Sequence, residues 1–122
     1  MKILDQKDIG KLLPKRAPDS HKGDFGHVLV IGGDYGMPGA VKIAASGALK
    51  MGAGLVTVIT HIEHVPSVVN NQPELLCYGL KKFQSLLLKQ QLAKASMIVL
   101  GPGLGQSTWS KYVFNKTIEF IN

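Results

Sequence analysis

The chain carries a single cysteine, Cys77. No intrachain disulfide can form, and a zinc site built on several cysteines is excluded. Arginine is equally scarce: Arg16 is the only one among fourteen basic residues. With no RNA-binding aromatic motif either, nucleic-acid recognition loses its usual side chains. Long apolar runs are missing too, since each is broken by Gly, Lys or Thr. None reaches the length of a membrane-crossing helix. The opening MKILDQKDIG has no apolar core before a cleavage site, which argues against a secretory signal. What is there is globular: 45% hydrophobic and 18% charged residues over 122 positions. Length and composition predict one compact domain of a reducing, cytoplasmic compartment, with no membrane partner.

Acids are also few, eight against fourteen bases, and the net charge is +6. The excess sits in the last third, as Lys81, Lys82, Lys89, Lys94, Lys111 and Lys116 against Glu119. A basic face can draw phosphates or nucleic acid. Lysines spread along helices are more simply read as a solvated surface, so a nucleic-acid partner is not expected.

Periodicity divides the chain into alternating elements. Residues 3–13 read as a short amphipathic helix through Ile3, Leu4, Ile9, Leu12 and Leu13, ended by Pro14. Residues 14–26 are polar and loop-like. Val28–Ile31 is a β-branched apolar run closed by two glycines, a strand buried on both faces. Pro38 suits a first helical position, and residues 39–51 form a helix of small residues, stopped by Gly52 and Gly54. A second strand covers 55–60, a short helix 62–70 and a third strand 74–78. A helix follows at 81–93, with Phe83, Leu87, Leu88 and Leu92 at helical spacing, then a strand at 97–100. Ser107 is a good N-cap for a last helix, 108–121, with Trp109, Tyr112, Val113 and Phe120 on one face. The alternation predicts an α/β fold with a mainly parallel sheet and crossover helices.

Two glycine-rich loops, residues 32–37 and 101–105, each follow a buried strand and open a helix. In a parallel sheet both lie at the carboxyl ends of strands, where open α/β folds bind ligands. Helix starts offer unpaired N–H groups that suit phosphate. Gly101-Pro102-Gly103-Leu104-Gly105 is not the standard dinucleotide fingerprint, and no Walker lysine follows either loop. The residues alone predict a phosphate-bearing ligand without naming it. The four histidines, His21, His27, His61 and His64, lack a metal-binding spacing and read as surface or capping residues. Cys77 lies in an apolar strand and reads as an inert core thiol.

The stretch His21-Lys22-Gly23-Asp24-Phe25-Gly26-His27 through Gly32-Gly33-Asp34-Tyr35-Gly36-Met37-Pro38-Gly39-Ala40 resembles the opening signature of the ADP/ATP-dependent NAD(P)H-hydrate dehydratases. Gly52-Ala53-Gly54-Leu55-Val56, Gln72-Pro73-Glu74-Leu75 and Gly101-Pro102-Gly103-Leu104-Gly105 follow in that family's order. The resemblance implies a ribokinase-like fold and the repair of hydrated NADH or NADPH. In that reaction a phosphoryl group passes from ADP or ATP to the ring hydroxyl, phosphate is eliminated, and Mg2+ assists. It places Gly39, Ala40 and Gly103, with its neighbours Gly101 and Gly105, against the hydrated dinucleotide, and puts Asp34 and Tyr35 in the same site.

The family's Pro-His-Pro-Gly-Glu-like segment, its lysine-bearing nucleotide loop and its Gly-x-Gly-Asp segment do not occur in residues 1–122. The expectation is therefore the N-terminal part of a single dehydratase domain, with no catalytic or metal residue of its own and no turnover alone. The alternative is a non-catalytic half-module that binds dinucleotide or associates through an exposed sheet edge. A homo-oligomer is expected in either case.

Overall fold

The computed structural model describes residues 2–3, 26–81 and 84–122. The elements are β1 (Lys2–Ile3), β2 (His27–Ile31), α1 (Pro38–Lys50), β3 (Leu55–His61), a 3-10 turn (Ile62–His64), α2 (Val65–Val69), β4 (Leu76–Leu80), α3 (Ser85–Lys94), β5 (Met97–Leu100) and α4 (Thr108–Ile121). The strands form one sheet in the order β1-β5-β2-β3-β4, and every pair is parallel. The α/β expectation holds.

The central strand β2 pairs with β3 on one side and β5 on the other, and Val28 to Ile31 are fully buried. That is why no polar residue interrupts this run. Alternate strand residues feed two cores. Val28, Val30, Val56, Val58 and Val99 pack under α1 and α2, through Val41, Ala45, Ala48 and Val68. Leu29, Ile31, Ile59, Leu80 and Ile98 pack under α3 and α4, through Leu88, Leu92, Trp109 and Val113. The small residues of α1 let it lie close to the sheet, while the second face is filled by larger side chains.

Most boundaries agree within one residue of the sequence reading; four elements depart further. Ile3 belongs to strand β1, paired with Ile98, and not to a helix; the rest of the 3–13 helix lies outside the described residues. The third strand is shifted two residues on, because Leu76 aligns with Thr57 and Leu80 with His61. The 62–70 helix is a 3-10 turn followed by one short α-helix, with Pro66 in its first turn. Helix α3 starts at Ser85, after Lys81 and Gln84 bond to one another. Ser107 caps α4 as expected, accepting from the Ser110 N–H at 3.0 Å.

Candidate functional site at the switch point of the sheet

From β2 the chain winds through β3 to β4, then returns to lay β5 on the far side of β2. The winding direction therefore reverses between β2 and β5. At such a point the loops leaving the two strands diverge toward opposite faces and open a crevice, the usual ligand position in open α/β sheets. The loops at this position are the two glycine-rich ones.

Backbone hydrogen bonds strap them together. Gly33 N–H donates to Pro102 O at 2.8 Å and Asp34 N–H to Gly103 O at 3.0 Å. Gly101 N–H reaches back to Ile31 O at 3.0 Å. A side chain at Gly32 would overlap Pro102 O, so glycine is what permits the close approach. Gly103 has φ +64°, and a Cβ there would stand 2.6 Å from Met37 O. Thr60 Oγ1 donates to Gly33 O at 2.8 Å and ties the first loop to β3 as well.

Asp34 is 5% exposed, and its carboxylate turns inward. Oδ1 accepts from Tyr35 N–H at 2.7 Å and Oδ2 from the Ser110 hydroxyl at 3.0 Å. Ser110 Oγ also lies against Leu104 O. Burial pushes the Asp34 pKa up. Hydrogen bonds from Ser107, Tyr35 N–H and Ser110, with the nearby His61, outweigh burial and hold it below the usual carboxylate value. The carboxylate thus joins the first loop to the start of α4.

This network consumes the donors of the first loop. The N–H groups of Gly33, Asp34, Tyr35, Gly36 and Met37 all have internal acceptors. The N–H groups of Gly39, Ala40, Gly103 and Gly105 have none among the described residues. Ala40 and Gly103 adjoin, with 3.6 Å between Ala40 Cβ and a Cβ built at Gly103. A Cβ at Gly105 would lie 2.8 Å from Met37 Cε and 3.9 Å from Asp34 Oδ2. Ala40, Gly103, Gly105 and Asp34 therefore converge around Met37. Gly39 and Gly101 border open space. The Tyr35 ring packs against residues at the end of β3 and in the turn after it.

There it meets residues that sequence reasoning left aside. The Tyr35 ring stacks on His64 at 5.9 Å and meets His61 edge-on at 5.6 Å. His61 in turn lies 5.6 Å from Trp109, whose Nε1 donates to Leu80 O at 2.7 Å. The histidines do have capping roles. His64 Nε2 accepts from Gly36 N–H at 2.8 Å, and His61 Nδ1 from Glu63 N–H at 3.2 Å. Glycine and β-branched patterns could find the loops, but no local signal links His61 and His64 to Tyr35.

The remaining candidates have local explanations. His27 Nε2 pairs with Thr57 Oγ1 at 2.6 Å. Burial and the Lys94 charge hold His27 below its usual pKa, despite a backbone hydrogen bond at Lys94. Cys77 is half-buried and burial pushes its thiol up to about 11, as an inert core thiol requires. Lys116 pairs with Glu119, and Lys89 lies over the Phe120 ring. His21 and Lys82 lie outside the described residues. Among the described residues no three His, Cys, Asp or Glu side chains are grouped to hold a metal ion. No described helix is long and apolar enough to cross a membrane.

The sequence profile of the NAD(P)H-hydrate dehydratase family matches residues 28–122, from β2 through both loops to the end of α4. The chain belongs to that family. A bifunctional NAD(P)H-hydrate repair enzyme of Coxiella burnetii is 53% identical over 97% of this chain. The ribokinase-like fold is shared with solved structures. A ribokinase-like protein of Enterococcus faecalis superposes with a TM-score of 0.80 at 28% identity, over 98% of this chain. The ADP/ATP-dependent NAD(P)H-hydrate dehydratase of Bacillus subtilis, co-crystallised with ATP and Mg2+, superposes with a TM-score of 0.64 at 26% identity, over 96% of this chain. This dehydratase-family chain spans 24% of the Coxiella relative's length and 41–42% of the two solved chains.

Proposed function

We propose that this chain carries the dinucleotide side of an ADP- or ATP-dependent NAD(P)H-hydrate dehydratase, a lyase that repairs hydrated NADH and NADPH. The carrying observation is the set of backbone N–H groups at Gly39, Ala40, Gly103 and Gly105, which lack acceptors among the described residues and border the switch point. Neutral, fixed donors at a helix start suit a pyrophosphate. Asp34 holds the two loops in register beneath the ligand, Tyr35 borders it, and Gly101 leaves the crevice mouth open.

In the proposed reaction a phosphoryl group passes to the hydroxyl of the hydrated ring. Phosphate then leaves with that oxygen, a ring proton departs, and the double bond returns. The described residues do not fit a Mg2+ site: among them no three His, Cys, Asp or Glu side chains are grouped, and the Asp34 carboxylate is engaged by Tyr35 N–H and Ser110. Residues 1–122 are proposed as the front of a single ribokinase-like domain, supported by the share of the solved chains they match. A cytoplasmic location is part of the same proposal, since the substrate is a metabolic cofactor.

Titration of the 122-residue chain with NADPH by calorimetry should give saturable binding, and ADP-dependent repair of NADPH hydrate by the same chain should be nil. Absence of binding overturns the dinucleotide assignment, and turnover overturns the assignment of this chain to one side of the site.

A second reading is a half-module that associates through its sheet edge. It is favoured by β4, an edge strand with Leu76 and Tyr78 exposed. Sizing chromatography decides it: a monomer at every concentration removes both this reading and the expected homo-oligomer.

A further inference from the structure

We propose that Tyr35, His61 and His64 form a shelf on which a purine ring stacks. The inference rests on the dinucleotide reading above and adds a subsite to it.

Tyr35 is 71% exposed, yet it is not loose. Its N–H is held by Asp34 Oδ1 at 2.7 Å. Its ring is stacked on His64 at 5.9 Å with 27° between planes, and braced edge-on by His61. His64 is fixed by accepting from Gly36 N–H, which requires its proton on Nδ1. His61 leans on Trp109, which is anchored to Leu80 O. Three rings thus stand on a buried base while the outermost keeps most of its surface in water. An exposed aromatic held in one orientation loses little freedom when a flat ligand covers it.

The position selects the ligand. The shelf follows Asp34 in the chain, and the Asp34 N–H is strapped to Gly103 O, so the shelf belongs to the same pair of loops as the N–H groups that lack acceptors among the described residues. A nucleotide with phosphates on those donors extends a ring to one side. The hydrated nicotinamide ring contains saturated carbons and is not flat. Adenine is flat and aromatic, so stacking favours it. Two sources carry adenine: the dinucleotide and the phosphoryl donor.

The test is calorimetric titration of the wild-type chain, Tyr35→Ala and Tyr35→Phe with NADPH, ADP and the hydrated form of reduced nicotinamide mononucleotide. Emission of Trp109, the single tryptophan, is followed in parallel. NADPH is expected to bind the wild type and shift that emission. Tyr35→Ala should weaken NADPH about tenfold, Tyr35→Phe should restore it, and the mononucleotide should be indifferent to both. His64→Gln, which keeps an acceptor for Gly36 N–H but removes the ring, should weaken NADPH as well. A loss confined to ADP keeps the purine shelf and assigns it to the phosphoryl donor. Unchanged binding of both adenine ligands by Tyr35→Ala and His64→Gln, or an equal loss for the mononucleotide, overturns the shelf while leaving the dinucleotide reading intact. A wild-type chain that binds none of the three overturns both.

Discussion

The two ends of the sheet are built in different ways. At the carboxyl end the loops are held by bonds between distant segments: Gly33 to Pro102, Asp34 to Gly103, Gly101 to Ile31 and Asp34 to Ser110. At the amino end distant segments also meet, Leu55 N–H with Gly26 O and Ser96 N–H with His27 O, but the turns that lead into β3 and β4 close on themselves. Gly52 N–H donates to Leu49 O, Ala53 N–H to Ala48 O, Gln72 N–H to Val69 O and Leu75 N–H to Gln72 O. A groove of about 360 Å³ lies there, lined by Ser46, Leu49, Lys50, Ala53, Gly54, Gln72 and Glu74. Local turns can vary one at a time. Strapped loops cannot, because moving one backbone displaces its partner. The contrast suits an end that holds a ligand and an end that reverses the chain.

The largest effect should come from filling the strapped end. Gly103→Val places a β-branched residue at φ +64° with its Cβ 2.6 Å from Met37 O. A loss of about 3 kcal/mol is expected in urea unfolding. A loss below about 1 kcal/mol would mean that the loops separate freely. Asp34→Ala comes next: it leaves Tyr35 N–H and the Ser110 hydroxyl without their charged acceptor and should cost about 2 kcal/mol.

Acid should act through the same carboxylate. Asp34 titrates below the ordinary value of 3.8, so its contribution is complete above that pH and lost as pH falls through the folded value. His27 titrates below 6.5, so the unfolded chain takes up a proton first and stability falls as pH drops below 6.5. Stability measured from pH 7 downward should decline in two stages, and Asp34→Asn should remove the more acidic one. The smallest effects belong away from the loops. Gly47→Ala, mid-helix in α1 with open space around it, should stabilise by about 0.5–1 kcal/mol. Lys50→Ala at the groove should change stability by less than about 0.5 kcal/mol. A larger loss there would erase the contrast between the ends.

The sequence made the strand–loop–helix units legible because their signals are local. Val28–Ile31 followed by glycines, Pro38 at a helix start and the Ser107 cap are each read within a few residues. The order of the strands is not local. Nothing near Met97 says that β5 returns beside β2, yet that pairing creates the switch point. The spacing of Ile3 to Leu4, Ile9 and Leu12 fits a helical period, while its strand partner Ile98 stands far along the chain. Asp34 was expected to line the site. Its inward turn depends on Ser110, which no pattern marks. The reading of His61 and His64 as surface or capping residues agrees with the bonds they accept, but their stacking with Tyr35 needs β3 aligned with β2.

The straps between Gly33 and Pro102 and between Asp34 and Gly103 also bear on when the crevice comes into being. Both bonds join loops that leave β2 and β5, so the binding geometry depends on a long-range strand pairing and is not a preformed hairpin. The amide protons of Gly33 and Asp34 should therefore exchange with solvent only when the sheet opens. Their exchange rates would report how readily the crevice opens, and a ligand seated on the loops would slow both together.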